Sequence, residues 1–187
     1  MKITVYCSSS DNIASLYKNA AEEFGIAVAS CGWTLVCGGM DCGLMKIAAA
    51  SAKKQGGRTM GIVPRCILEK SPAYKDLDES VVTEDMKERK LRLRTEADAF
   101  AVLPGGWGTL EEITEVITLK QLGIHNKPVV FINTENYFRL FFDFITRAKR
   151  EGFIDRKYDE LYRIVETPFE AVEYVKTYVP RERVLKY

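Results

Sequence analysis

Histidine is nearly absent from this sequence. One residue, His125, stands among 187, and that scarcity limits the available chemistry more than any other feature. A zinc site needs at least two imidazoles or a cysteine cluster at ligand spacing, and neither is present, so no metal is expected. Ser-His-Asp catalysis has only His125 to draw on, and that residue sits in Gly123-Ile124-His125-Asn126-Lys127-Pro128, a loop signal. The five cysteines (Cys7, Cys31, Cys37, Cys42 and Cys66) are an odd count without a C-x-x-C pair. They read as reduced, mostly buried thiols of a cytoplasmic protein; only proximity suggests Cys37 and Cys42 as a redox pair. An excess of charge is missing too. Lys plus Arg is 27 and Asp plus Glu 26, a net +1, which lacks the footprint of a nucleic-acid binder. No apolar run approaches the roughly 20 residues that span a bilayer, so no membrane association is expected. The apolar part of Met1-Lys2-Ile3-Thr4-Val5-Tyr6 is too short for a signal peptide and reads as a first strand.

What is there is a strand–helix alternation from end to end. The length fits one domain, residues 1–187, able to bury about 70% of its unfolded surface without disulfide or metal support. Strands are predicted at Ile3–Cys7, Thr34–Cys37, Thr59–Val63, Ser80–Thr83, Phe100–Leu103, Val129–Ile132 and Arg163–Val165. Several are continuously apolar, as parallel strands covered on both faces must be. Helices are predicted around Leu16–Val28, Leu44–Gln55, Met86–Ala97 with Asp85 as N-cap, Thr109–Leu122 and Tyr137–Glu151. A last helix opens on the capping box Thr167-Pro168-Phe169-Glu170 and runs through Tyr178. The fold class is therefore α/β, a doubly wound, mostly parallel sheet flanked by helices, Rossmann-like. Residues 66–79 are the least regular and suit a loop over a site.

Such sheets bind ligands beyond the carboxyl ends of their strands, so the residues following each strand carry the functional signal. The first strand is followed by Cys7-Ser8-Ser9-Ser10, without the G-x-G-x-x-G of a dinucleotide site. Hydroxyls and amides there, Ser9 included, can donate to a phosphate or ribose, or simply make a turn. The second strand leads into Gly38-Gly39-Met40-Asp41-Cys42-Gly43, where glycine permits close approach of a ligand at Gly39. The fifth leads into Pro104-Gly105-Gly106-Trp107-Gly108-Thr109-Leu110-Glu111-Glu112. Gly105, Gly106, Gly108 and Thr109 at a helix start form an anion cradle, where free N–H groups and the helix dipole converge. No G-K-[ST] follows, so a monophosphate rather than a triphosphate is implied. Glu112 has two readings: a capping-box glutamate paired with Thr109, or a carboxylate aimed at the sugar of a bound nucleotide. In the helix after the fourth strand, Met86, Arg89, Lys90, Leu93 and Ala97 share one face, so two cations occupy positions normally given to apolar side chains. Either that face is solvated, or Arg89 and Lys90 turn into a cleft to meet an anion.

Taken together, Pro104–Glu112 (P-G-G-x-G-T-x-x-E), Met86-x-x-Arg89-Lys90, Gly38-Gly39…Gly43-Leu44-Met45 and Gly123–Pro128 resemble the Lonely Guy (LOG) family of cytokinin-activating phosphoribohydrolases, long mislabelled as lysine decarboxylases. The resemblance implies hydrolysis of the N-glycosidic bond of a purine nucleoside 5′-monophosphate, giving free base and ribose 5-phosphate without cofactor or metal. It implies Arg89 and Glu112 as the catalytic pair, with Gly105, Gly106, Gly108 and Thr109 holding the phosphate. Lys90, Met86, Ser9, Gly39 and Thr118 would contact substrate. Family members are homodimers or larger assemblies with sites at a subunit interface, and the same is expected here. The sequence departs from the family pattern at Ser8, Met40, Lys46 and Lys87, and residues 69–79 match poorly. Those changes spare the catalytic pair but touch the walls where the base would sit. Two other classes compete: a non-catalytic nucleotide or molybdenum-cofactor carrier of related fold, and a pyridoxal-phosphate-dependent decarboxylase, for which no lysine is evidently placed.

Overall fold

The computed structural model describes residues 1–180. Its strands are β1 (Lys2–Tyr6), β2 (Thr34–Cys37), β3 (Arg58–Pro64), β4 (Glu79–Thr83), β5 (Ala99–Val102), β6 (Val129–Ile132) and β7 (Arg163–Val165). The helices between them are α1 (Ser15–Ser30), α2 (Gly43–Lys54), α3 (Arg65–Leu68), α4 (Met86–Thr95), α5 (Trp107–Gln121), α6 (Arg139–Arg150) and α7 (Pro168–Thr177). One seven-stranded sheet runs in the order β4-β3-β2-β1-β5-β6-β7, and every strand pairing is parallel. The chain steps outward from β1 to β4, then returns to the other side of β1 as β5. The order therefore reverses between β1 and β5, and the crevice above that reversal is where such a sheet takes a ligand.

Alternation along the strands sorts the core into two layers. Ile3, Val5, Leu35, Ala99, Ala101 and Leu103 face α1, α2 and α7, packing on Phe24, Leu44, Ala48 and Val172. Their neighbours Tyr6, Val36, Phe100 and Val102 face the other way, onto Leu93 of α4, Ile113 and Val116 of α5 and Phe138 before α6. Continuous apolar strands are what a sheet buried on both sides requires.

Helix α4 is the exception to packing by apolar burial. Its only buried residue is Leu93. It is held by its ends and its charges: the Asp85 carboxylate accepts from Glu88 N at 2.7 Å, Glu88 Oε2 accepts from Glu84 N at 2.9 Å, and buried Thr4 donates to the Leu93 carbonyl at 2.9 Å. The predicted capping box at Thr167 is formed, with Glu170 N donating to Thr167 Oγ1 and Thr167 N to Glu170 Oε2. The short helix α3 was not foreseen, because four residues are too few to show a periodicity. The following segment is tied to the β2 loop by Tyr74 N to Gly39 O (2.9 Å) and Asp41 N to Pro72 O (3.1 Å).

Candidate active site

Helix α5 begins at Trp107, three residues before the Leu110 start that a Thr109-x-x-Glu112 capping box implies, with Gly106 as N-cap and no capping side chain. The capping-box reading of Glu112 is thereby corrected. With the helix starting earlier, Thr109 lies inside the first turn, and Glu112 projects from the second. The N-terminal amides of α5 are left without a side-chain cap, and the dipole adds positive potential there. Gly105 permits the turn for a steric reason: a Cβ there would lie 2.1 Å from Thr109 Oγ1 and 2.9 Å from Ser8 N. The β1 and β5 loops are joined by Ser8 N donating to Pro104 O at 3.0 Å, and the β1 and β2 loops by Leu44 N donating to Ser8 O at 2.9 Å.

Glu112 instead meets Arg89. Arg89 Nη1 lies 2.5 Å from Glu112 Oε1, with the two side chains 11% and 12% exposed. Arg89 Nε also donates to the Ile62 carbonyl at 3.3 Å, which fixes the plane of the guanidinium. The slot it occupies exists because residue 38 is glycine: a Cβ there would lie 2.6 Å from Arg89 Nη2 and 2.7 Å from Met45 Sδ. Burial and Arg89 pull the Glu112 carboxyl in opposite directions. Burial wins, so its pKa is raised above the ordinary glutamate value despite the adjacent cation.

A cavity of about 580 Å³ opens beside this pair, within the range of small-molecule sites. Ser9, Met86, Arg89, Gly106, Gly108, Thr109 and Glu112 all line it, brought together from the β1 loop, α4 and the start of α5. Met40, Met45 and Ile67 make much of its apolar wall, and Ser10 and Ser71 add hydroxyls. Ile67 and Ser71 come from the irregular segment, which does border the site. Trp107 stands at the mouth, 89% exposed.

Four of the expected contacts lie elsewhere in this chain. Gly39 does not line the cavity; its positive φ of 71° and its packing on Gly61 (a Cβ would come 2.9 Å from Gly61 Cα) give it a role in joining β2 to β3. Gly105 shapes the turn from beneath. Lys90 is bound to Glu111 at 2.5 Å and Glu115 at 3.4 Å, so it clamps α4 to α5 at the rim instead of entering the cleft. Thr118 is exposed on α5 and donates to the Thr114 carbonyl at 2.8 Å.

Two contributors went unrecognised in the sequence. Gly38 was visible within the glycine pair but not distinguishable from Gly39. Tyr137 left no signal at all: it is 32 residues from Gly105, yet its hydroxyl donates to the Gly105 carbonyl at 2.9 Å. It is placed by a turn in which Glu135 and Asn136 both take positive φ (51° and 56°), a conformation non-glycine residues adopt at a cost. Fixing the Gly105 carbonyl also fixes the Gly106 N–H, since both belong to one planar trans peptide. His125 takes no part. It packs near Phe100, its Nε2 bonds the Val116 carbonyl at 3.0 Å, and burial pushes its pKa down to about 4.

The family model described as "Possible lysine decarboxylase" matches residues 45–175. The cytokinin riboside 5′-monophosphate phosphoribohydrolase LOG3 of Arabidopsis thaliana is 38% identical over 184 residues, 98% of this chain and 86% of its own length. LOG of Oryza sativa subsp. japonica is 37% identical over 183 residues, 98% and 76% of the two chains. The chain belongs to the LOG family. Its LOG-family fold extends to more distant proteins. The molybdenum cofactor carrier protein of Chlamydomonas reinhardtii superposes with a TM-score of 0.71 at 24% identity, over 94% of this chain and 95% of that one. The molybdenum cofactor binding protein of Rippkaea orientalis gives 0.71 at 22% identity over the same shares. At those identities the likeness is one of fold. Among the described residues of this LOG-family chain, no group of three His, Cys, Asp or Glu side chains is placed to hold a metal, and no helix is long and apolar enough to cross a membrane.

Proposed function

We propose that the protein hydrolyses the N-glycosidic bond of a purine nucleoside 5′-monophosphate, AMP or an N6-modified AMP such as a cytokinin riboside monophosphate, to free base and ribose 5-phosphate. The observation that carries this reading is a nearly buried Arg89–Glu112 pair on the wall of the same cavity that receives the uncapped N-terminus of α5. An anion seat and a carboxylate set one helical turn apart suit a substrate with a phosphate at one end and a scissile bond near it.

The 5′-phosphate takes the amides of Gly106, Gly108 and Thr109, over the turn that Gly105 permits and Tyr137 fixes. Binding the phosphate orients C1′ toward Glu112, so remote binding becomes orientation at the reacting carbon. Departure of the purine leaves positive charge on the ribose, which the Glu112 carboxylate stabilises. The same carboxylate takes a proton from water as its oxygen adds to C1′. The electrons of the broken C–N bond leave with the base, which takes up one proton from solvent, and Glu112 returns to solvent the proton it took from water. Arg89 holds Glu112 in place and supports its ionised form against burial. Met40, Met45, Met86 and Ile67 form the apolar wall for the base, with Ser9 and Ser10 beside the ribose. No lysine lines this cavity among the described residues, so a Schiff-base decarboxylation lacks its amine there.

The chain acts as a single nucleotide-binding unit and pairs with a second copy. Met86 and Trp107 line the cavity and are exposed at its mouth, where a partner subunit would cover them. Thr118 and Lys90, outside their own chain's cavity, would then serve the partner's. Free cysteines, five in all, suit a reducing cytoplasm.

Incubation with AMP and N6-isopentenyl-AMP, followed by quantification of base and ribose 5-phosphate, tests the reaction. Glu112→Gln is expected to lower turnover by about 10²–10⁴-fold. Turnover surviving both Arg89→Ala and Glu112→Ala refutes the mechanism, and tight AMP binding without base release makes the protein a carrier instead. Light scattering on the purified chain decides the oligomeric state.

A further inference from the structure

At the far end of α5 lies a second cavity, about 420 Å³, between the end of that helix, the Arg156–Tyr158 turn, the start of β7 and the end of α7. Lys120 is about 20 Å along the helix axis from Trp107, so this cavity is separate from the Arg89–Glu112 site. Two of its lining groups are anomalous. Lys120 is only 8% exposed and Tyr158 5%, yet neither the Lys120 ammonium nor the Tyr158 hydroxyl has a hydrogen-bond partner among the described residues. The ammonium lies over the Tyr178 ring, 5.0 Å from its centroid. A buried cation without a counter-ion among the described residues, lining the same cavity as a phenol without an acceptor there, is an arrangement folded chains rarely leave unfilled. Desolvation alone lowers the Lys120 pKa to about 8, which measures how poorly the site tolerates the charge by itself.

The missing partner is defined by what these groups donate. The ammonium offers up to three N–H donors and the phenol one O–H, so the complement is an acceptor carrying negative charge. Lys157 and Arg163 extend the positive field around the rim, while the Asp159 carboxylate there is taken by Lys149 at 2.6 Å, and Glu160 has a partner of its own. The walls include the rings of Tyr162 and Tyr178, which suit a flat body behind the charged group. We propose that this cavity is a second binding site, taking a small organic oxyanion, a carboxylate or phosphate ester on a flat body, held by Lys120 and Tyr158.

The test reads Lys120 directly in the full-length protein. At pH 8 a small acylating reagent is applied with and without benzoate or phenyl phosphate, each at about 10 mM, tenfold above a Kd of roughly 1 mM. Mass spectrometry then quantifies each lysine. The expected result is a Lys120 labelling rate lowered at least several-fold by one or both probes, with exposed lysines such as Lys18 unchanged. Protection by benzoate and not by phenyl phosphate identifies a carboxylate ligand, the reverse a phosphate ester. Calorimetry with the protecting probe should lose this site's binding heat in Lys120→Met and weaken in Tyr158→Phe. Unchanged Lys120 labelling with both probes overturns the proposal, and so does an identical binding heat in wild type and Lys120→Met. Because the labelling uses the wild-type chain, a variant that fails to fold leaves the test intact. Its failure would also leave the reading of the Arg89–Glu112 site untouched.

Discussion

Gly38→Ala asks one methyl group to disable the site while sparing the fold. The φ of Gly38 is not positive, so alanine fits the backbone and no conformational strain is introduced. The new Cβ would stand 2.6 Å from Arg89 Nη2 and 2.7 Å from Met45 Sδ. Ordinary contacts need about 3.5 Å or more, so the guanidinium must retreat by nearly 1 Å. Met45 can yield by rotating its flexible side chain; Arg89 is held by the Ile62 carbonyl and by Glu112 and cannot move without loosening one of them. A misplacement of about 1 Å at a reacting group lowers rate by about 100-fold, equivalent to roughly 2.7 kcal/mol of transition-state stabilisation. The stability loss should be the smaller effect, about 1–3 kcal/mol for an overpacked methyl. The assay is release of base from AMP, with a urea melt on the same preparation. Gly39→Ala is the control: it has φ +71° and meets the Gly61 backbone, so it should lose more stability than Gly38→Ala. Wild-type turnover in a folded Gly38→Ala protein would refute the claim that Arg89 must sit in that slot.

Three further outcomes follow from the same geometry. Tyr137→Phe removes only the hydroxyl that fixes the Gly105 carbonyl, worth about 1 kcal/mol, and should weaken inhibition by inorganic phosphate about fivefold with little change in melting; an unchanged inhibition constant would dismiss the positioning role. Because burial raises the Glu112 pKa and the proposed reaction uses its carboxylate form, activity should fall as pH drops through a value above the ordinary glutamate range of about 4.3. An acid limb in kcat/KM at or below that range would argue against Glu112 as the base. His125, held near pKa 4 when folded and near 6.5 when unfolded, binds protons more readily in the unfolded chain between those values. Its contribution is therefore present above pH 6.5 and lost on acidification toward pH 4, at most roughly 3 kcal/mol, and the loss should be missing from the pH dependence of His125→Gln urea midpoints.

The inner strands were legible because they are short, rich in β-branched residues and buried on both faces, a pattern few other environments produce; the edge strands β4 and β7 are largely exposed. The last helix was legible to the residue at its start because Thr167-Pro168-x-Glu170 acts locally, through hydrogen bonds between near neighbours. The same local pattern at Thr109-x-x-Glu112 misleads. There a tertiary partner 23 residues away captures the glutamate, and a helix start shifted to Trp107 leaves Thr109 no longer at the cap. Lys90 misleads for a related reason: helical spacing put it on the face of Arg89, but Glu111 and Glu115 on α5 hold it at the rim. Tyr137 was invisible because its role depends on where a turn delivers it.

These pairings also explain why the proposed catalytic pair is a poor place to separate chemistry from architecture. Helix α4 buries only Leu93, so the ion pairs of Arg89, Lys90 and Arg94 with α5 are a main means of fixing its position. Removing Arg89 would leave Glu112 buried without its cation and would also loosen the helix that carries Met86 into the cavity wall. Breaking such a pair by deleting one partner is strongly destabilising, typically by about 3–5 kcal/mol, unless the remaining carboxyl takes up a proton. A dead Arg89→Ala enzyme is therefore open to two explanations, whereas the Gly38 methyl displaces the guanidinium while keeping its charge near Glu112. If the dyad acts through geometry, Gly38→Ala and Arg89→Ala should lose comparable turnover but differ widely in melting temperature. Equal losses of both in the two variants would mean that Arg89 serves chiefly to hold α4 in place.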